Sequence, residues 1–167
     1  MARTHIPRSA DREELRRFAQ LSGEWWDDRG PMAPLHKLNP VRLGYVRDQM
    51  CSRLGRDPKT RQPLAGLNIV DVGCGGGLLC EPLARMGAAV TGIDLVPRHL
   101  EVARRHAQAS GLDIAYREIA AEQLAEDGAQ FDLVCALEVV EHVADVDSFL
   151  SGCAGLMKPG GGMVLST

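Results

Sequence analysis

The run Asn68-Ile69-Val70-Asp71-Val72-Gly73-Cys74-Gly75-Gly76-Gly77, followed by Thr91-Gly92-Ile93-Asp94, decides how this chain folds. It reads as a short apolar strand, a glycine-dense turn, and an acidic residue closing a second strand. Glycine has no Cβ, so the backbone N–H groups of the turn come close to a bound ligand. A carboxylate twenty-one residues beyond Gly73 is placed to accept hydrogen bonds from both hydroxyls of a ribose. The expected ligand is therefore of nucleotide type. A dinucleotide fingerprint needs Gly-x-Gly-x-x-Gly, and counting from Gly73 the third glycine position holds Leu78. That disfavours a nicotinamide dehydrogenase, and the spacing fits S-adenosylmethionine better.

Outward from this unit, strand and helix signals alternate. The pattern predicts strands near 68–73, 89–94, 113–117, 131–136 and 162–167, and helices near 77–86, 97–110, 119–126 and 145–157. With near-continuous apolar strands such as Phe131 to Leu137, it predicts an α/β, Rossmann-like, doubly wound and mostly parallel sheet with helices on both faces. Ligands of such sheets sit at the carboxyl ends of the strands, where Gly73, Asp94 and Leu137 fall. The sequence ends at Thr167, within or just after the fifth strand, which predicts that C-terminal strands are missing. Residues 67–167 form the expected S-adenosylmethionine-binding domain, and residues 1–66 an N-terminal helical extension and connector. In that extension Asp11-Arg12-Glu13-Glu14 offers a capping box to a first helix with Leu15, Phe18 and Leu21 or Ser22 in its apolar stripe, ended by Gly23. Asn39 as N-cap and Pro40 at the first helical position predict a second helix to about Arg53. Its stripe is Leu43, Val46, Met50 and Leu54, and the neighbouring face of Arg42, Tyr45 and Gln49 leaves Arg42 free to serve a ligand.

The 167 residues suffice for one domain with a core. A net charge of −3 and a pI near 5.9 argue against nucleic acid as the main partner. Five cysteines without a Cys-x-x-Cys pair predict reduced thiols in a bacterial cytoplasmic setting and no zinc. No apolar run reaches the ~18 residues needed to span a bilayer, and Met1 to Ala10 lacks the apolar stretch of a secretory signal.

Taken together, the Gly73 turn, Asp94, the Phe131-Asp132-Leu133-Val134 strand and the Leu156-Met157-Lys158-Pro159-Gly160-Gly161-Gly162 segment resemble the Rossmann-fold S-adenosylmethionine-dependent methyltransferases. Four segments narrow the likeness: Trp25-Trp26-Asp27, the stretch from Pro34 to Tyr45, Asp71 to Gly77, and Glu138-Val139-Val140-Glu141-His142. They resemble the ubiquinone-biosynthesis O-methyltransferase family, over nearly the whole chain. The resemblance implies methylation of ring hydroxyls on polyprenylated phenol and catechol (quinol) intermediates, with S-adenosylmethionine as donor. It implies that Arg42, Gly73, Asp94 and Leu137 contact the donor, Leu137 standing where related members can carry methionine. Magnesium, peripheral membrane association and contact with a ubiquinone-biosynthesis complex are further implications. Alternatives are a non-catalytic donor-binding fragment and a methyltransferase of another small molecule.

Methyl transfer needs donor carbon and acceptor oxygen held in line and the phenol made more nucleophilic. Glu138, Glu141 and His142, at i, i+3 and i+4, are expected on one face of a helical turn at the mouth of the fourth strand. Two readings stay open: the three ligate magnesium or another divalent cation that lowers the pKa of a catechol hydroxyl, or His142 acts as a general base oriented by the glutamates. Gly73 and Gly75 are expected to line the donor. Asp71 orients the glycine loop or the amino end of the methionine, or caps a strand edge. Arg42 pairs with the methionyl carboxylate or is a plain helix arginine. Trp25 and Trp26 form an aromatic lid or pack in the core. His36 and His99 are expected at the surface or as caps, and His106 exposed in mid-helix.

Overall fold

A computed structural model describes residues 7, 9–20 and 22–167; Leu21 of the expected first stripe lies outside the described residues. Five strands, β1 (Asn68–Val72), β2 (Ala89–Asp94), β3 (Ala115–Glu118), β4 (Phe131–Leu137) and β5 (Met157–Ser166), form one sheet in the order β3-β2-β1-β4-β5. Every pairing is parallel. The order reverses between β1 and β4, and a crevice opens there at the carboxyl ends of the strands.

Alternation along each strand divides the core between the two faces of the sheet. Ile69, Leu133 and Cys135 face one side with Leu83, Leu100, Val46 and Met50, from helices α3 (Cys80–Arg85), α4 (Pro97–Ala109) and α2 (Ala33–Leu54). Val70, Val72, Val134 and Ala136 face the other, against Leu124 of α5 (Ala121–Glu126) and Phe149 and Cys153 of α6 (Val146–Gly155). All five cysteines are buried free thiols. Among the described residues no helix is long and apolar enough to cross a membrane.

Several element boundaries differ from the sequence reading for identifiable reasons. Helix α1 (Arg12–Gln20) starts as expected, with Asp11 Oδ1 accepting the N–H groups of Glu13 (2.8 Å) and Glu14 (3.2 Å). Helix α2 begins at Ala33, with Pro34 in its first turn and Pro40 inside it. Asn39 is not a cap: its amide donates to the Leu78 carbonyl at 2.7 Å, tying α2 to the segment after the glycine turn. Leu54 of the expected stripe is exposed, while Val46 and Met50 are buried. Helix α3 cannot start at Gly77, whose φ of +86° lies in the left-handed region, and begins at Cys80. Strand β5 starts earlier than expected because Met157 pairs with Phe131; the ladder then resumes at Gly162 beyond an irregularity that holds Pro159 and Gly160.

Candidate active site

Two adjoining cavities occupy the crevice. The first lies beneath α1, with Gly73, Asp94, His99, Ile119 and Ala120 in its wall. The second runs from Gly73 toward α2, with Arg42, Asp71, Leu137, Glu141 and His142 in its wall. Phe18, Trp25, Glu138 and His142 border both.

The glycine turn and the end of β2 are joined directly. Asp94 is 8% exposed; its Oδ2 accepts the Gly75 N–H at 2.9 Å and its Oδ1 the Val96 N–H at 2.8 Å. A carboxylate oxygen has two acceptor sites, so Oδ1 keeps one for a ligand hydroxyl. Gly73 and Gly75 have φ of +70° and +53°, and a Cβ at Gly73 would stand 2.6 Å from Val139 Cγ2. A Cβ at Gly75 would stand 2.2 Å from Trp25 Cη2. Glycine is thus required at both for conformation and for space.

The paired tryptophans clamp this turn. Trp25 is buried against Gly75 and Gly76, and its Nε1 is buried with no hydrogen-bond partner among the described residues. Trp26 donates from Nε1 to the Gly76 carbonyl at 3.0 Å and stacks on His106 with ring centroids 3.4 Å apart. His106, expected to be exposed, is instead half-buried: its Nδ1 lies 2.5 Å from Oε1 of the fully buried Glu81, whose other oxygen takes Arg85 at 3.1 Å. His36 meets the Trp25 carbonyl through Nε2 at 2.9 Å.

Asp71 lies on the α2–α4 side of β1, where alternation would place an apolar residue. Burial pushes its carboxyl up to about 7, against the opposing effect of the Cys80 thiol, which donates to Oδ2 at 3.3 Å; nearby Asp94 raises it further and Arg42 lowers it. Burial also pushes the Cys74 thiol up to about 11, which disfavours its thiolate.

The Glu138-Glu141-His142 expectation needs correction. Glu138 has φ +56°, a left-handed conformation uncommon for a residue with a Cβ, and only Val140–His142 form a 3-10 turn, so the three do not share one helical face. Glu138 Oε1 is held by Arg42 at 2.8 Å and by the Ser166 hydroxyl at 2.8 Å. Arg42 is therefore paired within the protein as well as facing the cavity. His142 turns its Nδ1 to Glu14 of α1 at 2.7 Å and packs edge-on against Phe18, while Glu141 is exposed at the rim. No group of three or more metal-ligating side chains converges among the described residues. The donor set as placed does not fit a resident divalent ion.

Sequence reasoning missed Glu14 as the partner of His142, and it expected His99 at the surface or as a cap, whereas His99 is 2% exposed. A signal for His99 was present: two residues past Pro97 in the first turn of α4, its side chain points back toward the strand end that carries Asp94.

The chain is 54% identical over 166 residues to the ubiquinone biosynthesis O-methyltransferase of Sinorhizobium medicae (strain WSM419), an alignment covering 99% of this chain and 65% of that protein. It is 51% identical to the protein of the same name from Brucella anthropi, again over 99% of this chain and 65% of the relative. The chain thus spans just under two thirds of the length of the curated relatives it matches. Among solved structures, the fold is similar to magnesium protoporphyrin IX methyltransferase from Synechocystis PCC 6803 with bound SAM, with TM-score 0.64 and 25% identity over 94% of this chain and 75% of that one. It is also similar to the protein of a DhpI-SAM-HEP complex, with TM-score 0.67 and 20% identity over 96% of this chain and 66% of that one. Residues 70–165, more than half of the chain, match the family described as a methyltransferase domain, and the chain belongs to that family.

Proposed function

We propose that the chain carries the donor-binding part, residues 67–167, and the helical extension, residues 1–66, of an S-adenosylmethionine-dependent O-methyltransferase that acts on ring hydroxyls of polyprenyl phenol and catechol intermediates in ubiquinone biosynthesis. The observation that carries the reading is the Asp94–Gly75 hydrogen bond at the strand ends, beside a carboxylate oxygen with acceptor capacity to spare. The names of relatives that match almost the whole chain support a substrate of the ubiquinone pathway.

When bound, the donor supplies a methyl group on a sulfonium whose sulfur leaves as a neutral thioether. Around it, Asp94 accepts from the ribose hydroxyls, and the backbone of Gly73 and Gly75 lines the donor. Arg42 serves the methionyl carboxylate, Asp71 the amino group, and Leu137 gives apolar contact. His142 takes the proton from the attacking hydroxyl as its oxygen bonds to the methyl carbon. Glu14 Oε2 stands 2.7 Å from Nδ1 of that ring, which leaves Nε2 for the hydroxyl and takes the orienting part the sequence reading gave to Glu138 and Glu141. A magnesium ion would require Glu138 to leave Arg42 and His142 to turn from Glu14, so no step is assigned to one. Peripheral association with a membrane or a biosynthetic complex is in keeping with so apolar an acceptor.

The test supplies this chain, extended to the length of its relatives, with S-adenosylmethionine and a demethylated quinol. Stoichiometric S-adenosylhomocysteine and methylated quinol are expected. Donor binding without product on the phenol and catechol acceptors refutes the substrate assignment and leaves the non-catalytic reading.

A further inference from the structure

Helix α1 roofs the cavity that holds Asp94 with no fully buried side chain of its own; half-buried Leu15 and Phe18 line the cavity, and polar links add to their hold. Two lie toward its N-terminal side: the Ala144 N–H on the Ser9 carbonyl at 2.8 Å, and the Glu14–His142 pair. Its C-terminal half is held by His99. The Nε2 of this ring lies 3.1 Å from the Phe18 carbonyl, and its Nδ1 lies 3.3 Å from Asp94 Oδ2. Trp25 packs edge-on against the same ring at 5.1 Å. Both facing oxygens are acceptors, so a ring with one N–H serves one of them and a ring with two serves both.

We propose that His99 is a positioning residue for the donor site: it orients the Asp94 carboxylate with one nitrogen and latches α1 over the cavity with the other. The inference rests on the donor-site reading above. Each nitrogen has its own task because one partner is the group that meets the ribose and the other is backbone of the roof. The side-chain amide of asparagine reaches the position of Nδ1, and that of glutamine the position of Nε2, so the two bonds separate experimentally.

The experiment compares the wild-type chain with His99→Asn and His99→Gln. S-adenosylhomocysteine affinity is read by calorimetry, and the rate of tryptic cleavage after Arg16 and Arg17, both exposed on α1, is read by mass spectrometry without ligand. His99→Asn is expected to keep affinity within about threefold while cleavage in α1 accelerates roughly tenfold. His99→Gln is expected to keep the wild-type cleavage rate and to lose about tenfold in affinity, the scale of one charge-assisted hydrogen bond. The proposal is overturned if the two variants behave alike, whether both retain or both lose the two properties; joint loss marks a merely structural histidine. Should the wild type bind no S-adenosylhomocysteine, the donor reading fails, while the ligand-free cleavage rates still report on the latch.

Discussion

Asp94→Ala is expected to weaken S-adenosylhomocysteine binding by at least about a hundredfold. The carboxylate accepts the backbone N–H groups of Gly75 and Val96 and sits 3.3 Å from His99, so its removal unties the glycine turn from the end of β2 as well as deleting the ribose acceptor. Hydrogen bonds to a charged group are worth about 1.5–3 kcal/mol each, and losing the equivalent of about two reaches that hundredfold. Asp94→Asn keeps one acceptor oxygen and should lose closer to tenfold. Calorimetry on both variants, with circular dichroism to verify folding, checks this order; an Asp94→Ala chain that is folded and binds within threefold of wild type would remove Asp94 from the site.

The second large effect concerns Asp71. Its carboxyl is raised from 3.8 to about 7 in the folded chain by burial. Below pH 3.8 both folded and unfolded chains hold the proton, and the group costs nothing. Between 3.8 and about 7 the unfolded chain releases the proton and the folded chain keeps it, so stability falls as pH rises. Above about 7 the loss is complete, about 4 kcal/mol at 1.36 kcal/mol per pKa unit. Asparagine cannot ionise, so the stability of Asp71→Asn minus that of wild type should rise by about 4 kcal/mol from pH 4 to pH 8. In a domain of this size that is roughly 10 °C in relative Tm. Urea denaturation across this range is the measurement; parallel profiles would mean that Asp71 is ionised in the folded chain.

What the sequence made legible was local. The glycine turn, the apolar strands and Asp94 follow from backbone conformation and side-chain period, which neighbours in sequence determine. The start of α2 was not legible, because Asn39-Pro40 has the form of a helix start and only the contact from Asn39 to the Leu78 carbonyl commits it to the interior. The geometry of Glu138, Glu141 and His142 was misjudged for a related reason. Their spacing suits a helix, but Arg42 and Ser166 hold Glu138 in a left-handed conformation, and Glu14, 128 positions away, takes His142. The roof of the site is built from such distant pairs, Phe18 with His99 and Ser9 with Ala144, and no local pattern encodes them.

The central claim, a methyl-donor site at Gly73, Gly75 and Asp94, is tested most directly by calorimetric titration of the folded chain with S-adenosylhomocysteine and, separately, with NAD. The account predicts one-site binding of S-adenosylhomocysteine with a Kd on the order of micromolar, about −8 kcal/mol, and no heat of binding with NAD. A folded chain that binds NAD, or that binds neither ligand, would contradict it.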